Sequence, residues 1–212
     1  GSGHDQYFFQ RPAAMVAGVV AAPQIDLANE DLLRAHIHAI WMRFTNLPTL
    51  KSMLDLIDIE QPGYPLRADV QQSILLDQQQ AADCRATCLA VLDACRNALQ
   101  TVTWYDEGWL DRCLNEAPKA FDEACDRWRK LYDAAKTEID ATRHAIDTLA
   151  ADPRAKRKER EELERREQEA KHQRALLSNN PLNKEKQGDG DFYPYRYLAS
   201  EGFLPGYNFP RL

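Results

Sequence analysis

Between Leu66 and Thr103 the chain contains neither proline nor glycine. Within that run Val70, Ile74, Ala81, Cys84, Cys88, Val91, Cys95, Ala98 and Val102 step by three, four or seven. Side chains at those spacings share one helix face, so the run predicts a long amphipathic helix over 66–103. Trp104 to Gly108 reads as a turn, and Trp109, Leu110, Cys113 and Leu114 as a shorter helix. Pro118 suits the first position of another helix. Behind it Phe121, Cys125, Trp128, Leu131, Tyr132, Ala135, Ile139, Thr142, Ile146 and Leu149 keep the helical period to about 150. Each stripe needs a partner to cover it, and a short connection favours antiparallel neighbours. The expected fold is mainly α. Helices 66–103 and 118–150 would form a long antiparallel hairpin or coiled-coil arm, projecting from a small base made by the two chain ends.

The flanks are shorter pieces. Residues 4–25 are apolar and rich in small side chains, with Tyr7-Phe8-Phe9 as an aromatic run. Asn29 is a good N-cap, and Glu30 and Asp31 follow where acids suit the helix dipole. Leu32, Leu33, His36, Ile37, Ile40, Trp41 and Phe44 then mark a helix over 29–44. His36 reads as a hydrogen-bonded residue at the edge of its apolar face. His38, two positions on, points elsewhere. A short helix after Pro48 carries Leu50, Met53, Leu54 and Ile57, and Gln61 to Pro65 breaks the chain. Asp152-Pro153 restarts a helix whose apolar positions are only Leu163, Ala170, Leu176 and Leu177. This 153–177 helix either extends the pair or folds back on it. It is a solvent-crossed helix, one arm of a coiled coil, or a polyanion contact. A loop follows from Ser178 to Asp191, then an aromatic, proline-rich tail. Three regions result: a base segment over 1–65, a helical arm over 66–180, and a loop with the tail over 181–212. Gly1-Ser2-Gly3 carries no structural weight in this reading.

Charge is uneven. Residues 66–152 hold 10 basic and 16 acidic side chains, whereas 153–212 hold 13 and 10. Within the basic part, Arg154, Lys156, Arg157, Lys158 and Arg160 crowd one short run, a candidate phosphate contact. The competing reading is a solvated helix face, because Glu159, Glu161, Glu162 and Glu164 can pair at helical spacing. Trp128, Leu131 and Leu163 are candidates for packing against a partner protein.

Of the five cysteines, Cys84, Cys88 and Cys95 share one helix face. There is no CxxC and no fourth ligand nearby, so no metal set is assigned. Cysteine on a helix face behaves as a small buried hydrophobe. An odd cysteine count, no signal-like N-terminus and no run of 18 apolar residues point to a reducing cytoplasm and no membrane span. The chain also lacks GxxxxGK[ST], GxGxxG and HExxH. Nothing in it assembles a catalytic centre.

The two ends carry a resemblance. The stretch HDQYFFQRPAAMVAGVVAAPQIDLANEDLLRAHIHAIW resembles the segment that follows the second RecA-like motor domain in superfamily-2 DEAD/DEAH-type helicases. The matching positions are Asp5, Tyr7, Phe8, Pro12, Met15, Pro23, Ile25, Asp26, Asn29 and His36. The tail RYLASEGFLPGYNFPRL is similar to the entry of the C-terminal domain in the branch that includes Mrf-type helicases and the DISARM phage-defence helicase, where a cysteine cluster is common. The resemblance implies an ATP-dependent DNA motor of defence or repair type, with this chain as an internal piece. Its nucleotide-binding motifs, ATP and Mg2+ would lie before residue 1 and the cysteine cluster after residue 212. No catalytic residue and no cofactor transfers onto this chain. Its expected role is to link the motor to the C-terminal domain and to position DNA or another subunit of a defence or repair complex. The alternative is a structural coiled-coil module that docks another protein.

Overall fold

The computed structural model describes residues 29–150, 157–178 and 194–206. Among them are eight α-helices and no strand. They are α1 (Glu30–Phe44), α2 (Ala68–Ser73), α3 (Gln78–Ala94), α4 (Arg96–Leu99), α5 (Trp109–Glu123), α6 (Asp126–Ala150), α7 (Arg157–Leu177) and α8 (Pro194–Ser200). One 3-10 turn covers Met53–Asp55. The fold is mainly α, as the periodicity predicts. No helix among the described residues is long and apolar enough to cross a membrane.

Helix α1 starts where its cap dictates. The Asn29 side chain accepts the Leu32 N–H at 3.0 Å, and Glu30 and Asp31 occupy the first turn. Its buried residues are Leu33, Ala35, Ile37, His38 and Trp41. The burial therefore reaches His38, whereas His36 is only partly covered. The reason is that α1 is packed from more than one side, by α3 and α5 and by the C-terminal segment.

The expected single helix over 66–103 is three helices instead. Asp77 and Gln80 form a capping box: the Gln80 N–H donates to the Asp77 carboxylate at 2.8 Å, and the Asp77 N–H to the Gln80 side chain at 2.9 Å. That box starts α3 and ends the stripe behind it. At the other end, the Cys95 N–H is shared between the carbonyls of Val91 and Leu92, and the chain turns into α4. Pro118 does not open a helix either; it lies inside α5. The break falls at Ala124–Cys125, where the Cys125 N–H bonds Asp122 O at 3.0 Å.

The antiparallel pair is formed by α6 and α7. Trp128 meets Leu177, Glu138 meets Arg166, and Arg143 meets Glu167. The first turn of α6 thus lies beside the last turn of α7, and the middle of one beside the middle of the other, as in an antiparallel pair. The buried residues of α6, Trp128, Tyr132, Ala135, Ile139 and Thr142, alternate steps of four and three, the spacing of a two-helix seam. With 21 residues, α7 is roughly 32 Å long. So α7, the described part of the expected 153–177 helix, is the one that folds back, and residues 66–125 belong to the base.

One hydrophobic core fills that base. It joins α1, the 50–57 segment, α3, α5, the first turns of α6 and the C-terminal segment. Phe203 sits between Trp41 and Phe121, with ring centroids 6.1 and 5.4 Å away. The C-terminal aromatic segment folds back on α1, as expected, though most of the base comes from between the chain ends. The residues 4–28 that would complete it lie outside the described residues.

The candidate arm interface

The arm is rooted by residues that close open helix ends. The first amides of a helix have no partner within it. At the start of α6, the Trp128 backbone N–H finds one in the Tyr197 hydroxyl, at 2.8 Å. The last carbonyls of α7 are closed in the same way. Leu177 O accepts the Trp128 indole N–H at 3.1 Å, and Ser178 O accepts the Ser52 hydroxyl at 3.1 Å. Burial pushes the Tyr197 hydroxyl above its ordinary range, so it stays protonated in this role.

Arg129 fixes the angle between α5 and α6. Its guanidinium donates to Tyr64 O at 2.8 Å, to Asp122 O at 2.8 Å, and to the carboxylates of Asp122 and Asp126. Burial opposes its charge, but the bonds to Asp122 and Asp126 prevail and raise its pKa. The Tyr64 carbonyl is presented by a turn with Gly63 at φ 77° and Tyr64 itself at φ 52°. That backbone region is rare for a tyrosine. It is held by the Tyr64 hydroxyl on Asp133 at 3.1 Å and by the ring against Tyr132.

Trp128, Leu131 and Leu163, read together as partner-facing, are separated by the structure. Trp128 is fully buried and stacks on Tyr132 at 4.9 Å. It belongs to the protein's own core and offers no surface to a partner. Leu163 is partly covered. Leu131 is 40 % exposed, and Leu176 on α7 is 49 % exposed.

Of the basic run, Arg154 and Lys156 lie outside the described residues. Arg157, Lys158 and Arg160 are exposed on the first turn of α7. Arg157 pairs with Glu161 at 2.7 Å and Arg160 with Glu164 at 2.9 Å, each across one helical turn. Further along, Arg165 bonds Glu162 and Glu169. Lys171 and then Arg143 hold the Glu167 carboxyl below its usual range, and Arg165 does the same for Glu162. Exposed pairs of this kind contribute little to stability. A phosphate would displace the glutamates at little cost, but over 157–165 four basic and four acidic residues cancel. The positive excess of the basic run is concentrated in 154–158 of the sequence.

The thiols fill the core. Cys84, Cys88, Cys113 and Cys125 are buried, and Cys95 is half-buried. Burial pushes Cys113 up to about 11 and Cys125 up to about 12. A bond from Cys84, together with burial, raises Cys88. Thiols held protonated are poor nucleophiles. Among the described residues no three His, Cys, Asp or Glu side chains are grouped to hold a metal.

Sequence reasoning missed His38 and Arg129. The His38 Nδ1–H donates to Phe203 O at 3.2 Å. The partner of His38 lies 165 positions away, and Arg129 combines nearby Asp122 and Asp126 with the Tyr64 carbonyl 65 positions away, a bond that no local spacing signals. The Asp77–Gln80 box was visible in the sequence as D-x-x-Q. No family model, curated protein or solved structure matches this chain.

Proposed function

We propose that this chain is a non-catalytic accessory region of an ATP-dependent DNA helicase of defence or repair type, whose helical arm positions DNA or a partner subunit. The supporting observation is the meeting of its two ends. His38 and Trp41, at the close of the helicase-like N-terminal stretch, pack on Phe203, within the helicase-like tail. Everything between them leaves and re-enters at one junction, as an insertion in a larger protein would. The chain has no GxxxxGK[ST] loop, so no ATP- or Mg2+-holding residue is assigned to it. Arg157, Lys158 and Arg160, with Arg154 and Lys156, would touch phosphates without reading bases.

The test is fluorescence anisotropy of labelled single-stranded and duplex DNA with the purified chain, at about 50 and 200 mM salt. Binding should fall steeply with salt and weaken in the double variant Arg157→Glu, Lys158→Glu. Binding that ignores the charge reversal removes the arm tip from the reading. ATP hydrolysis by the chain alone would overturn its non-catalytic assignment.

A protein-docking arm is the second reading, favoured by the ion-paired surface of α7 and by the exposed Leu131 and Leu176. On that reading Leu131→Glu disrupts a partner complex, and charge reversal at 157 and 158 leaves DNA retention unchanged.

A further inference from the structure

A cleft of about 470 Å3 opens beside the C-terminal end of α3, between that end, α4 and the 100–107 loop. That is a common size for a ligand-binding cleft. Its floor is apolar: Leu92 and Leu99 are buried there. Leu89 and Val102 line it higher up, and Leu89 is left 42 % exposed. The buried stripe of α3 runs through Cys84, Cys88 and Leu92, so Leu89 falls beside the stripe and has no core role. One wall is Tyr105, braced against Trp104 at 5.9 Å and Trp109 at 5.8 Å. A braced wall lowers the ordering cost of binding.

The rim is acidic. Asp93, Asp106 and Glu107 line it with Arg96, and Arg112 reaches Asp106 from beside the lining, so three carboxylates face two cations. Asp93 is engaged by Arg96, and Asp106 by Arg112 at 2.8 Å. Glu107 has no cationic partner among the described residues. Such a rim repels nucleic acid and attracts a basic segment. Among the described residues, Arg157 and Arg160 on the arm of a second copy carry their own glutamates and make a poor match.

We propose that this cleft is a docking groove for a short amphipathic helix of a partner protein, with a leucine-like side chain seated on Leu92 and Leu99 and lysine or arginine facing Glu107. The proposal is independent of the helicase reading.

The probe is a fluorescent model helix of leucine and lysine, about 16 residues long, with a control in which glutamate replaces lysine. The lysine peptide should bind saturably, and the glutamate peptide about tenfold more weakly or worse. Leu89→Asp separates groove binding from loose attraction to an acidic protein. It adds negative charge, so loose attraction would strengthen, whereas groove binding should fall about tenfold or more. Glu107→Lys should weaken binding similarly. Both sites are exposed, and far-UV circular dichroism and the melting temperature should be unchanged. Absent binding, equal binding of the two peptides, or undiminished binding to Leu89→Asp each overturns the proposal. So does self-association in sedimentation that Leu89→Asp abolishes, because that assigns the groove to a second copy.

Discussion

The imidazole of His38 lies flat on the ring of Phe203, 4.4 Å between centroids, while its Nδ1–H donates to the Phe203 carbonyl oxygen at 3.2 Å. One side chain on α1 thus recognises both the ring and the backbone of a residue near the other end of the chain. The same phenylalanine touches Trp41 and Phe121, so α1 and α5 are joined through the C-terminal segment.

His38 makes the stability of the protein pH-dependent. Burial lowers its pKa from 6.5 to about 4, against the opposing effect of the Phe203 bond, and Arg34 lowers it further. The folded state holds it neutral, and the unfolded chain binds the proton from about pH 6.5 downward. Stability from this group is therefore full above pH 6.5 and is lost as the pH falls toward 4. Between pH 7.5 and 5 the loss should be about 2 kcal/mol. Urea unfolding of the wild type and of His38→Gln across that range isolates it. An identical slope in both proteins would show that His38 does not carry the effect.

Phe203 should be a large contributor to the base. Truncating a buried phenylalanine costs about 3–5 kcal/mol, and Phe203 is 3 % exposed among three aromatic neighbours. Phe203→Ala should lose that much unfolding free energy. Hydrogen exchange should accelerate in α1 and α5 before it does in the outer halves of α6 and α7. A loss under about 1 kcal/mol would mean that the tail rests on the base without supporting it.

The seam of α6 was legible because it obeys one local rule: the 128–149 stripe keeps its period whatever it packs against. The identity of its partner was not. An apolar stripe says that something must cover it, and α7, with Ala170 and Leu177 as its buried residues, looked too polar to do so. The two helices are joined by cross-helix pairs such as Arg166–Glu138, and long charged side chains can shield apolar surface through their alkyl chains. The break at Asp77 was legible and overlooked, since a long run free of proline and glycine outweighed a two-residue cap. Of the candidate site, the basic run was visible as charge, but whether it is free or paired depends on side-chain geometry. His38 was hidden because its partner is remote in sequence, and Arg129 because its spacing from Asp126 reads as an ordinary surface pair while the Tyr64 carbonyl it holds is 65 positions away.

Arg129 and Arg166 make a controlled contrast. Both form ion pairs, but the Arg129 side chain is 13 % exposed and that of Arg166 49 %. Removing Arg166 should cost under about 1 kcal/mol. Arg129→Met should cost about 2 kcal/mol or more, because the carbonyls of Tyr64 and Asp122 and the Asp122 carboxylate lose their donor. Chemical denaturation of the two variants gives the comparison, and equal costs would remove Arg129 as the clamp between α5 and α6.

Trp128 tests how the arm is fixed to the base. Its indole N–H satisfies the carbonyl of Leu177, and its backbone N–H is satisfied by the Tyr197 hydroxyl. Trp128→Phe keeps a stacking ring for Tyr132 but leaves Leu177 O without that donor. Tyr197→Phe leaves the Trp128 amide without its acceptor. Each orphaned buried group should cost about 1–3 kcal/mol. The two bonds lie on opposite sides of one residue, so the double variant reports whether they act together. A cost that departs from the sum of the singles would mean that the arm and the C-terminal segment are coupled through Trp128. A sum that is merely additive would make the root of α6 two independent attachments, and the tail would then not influence the orientation of the arm.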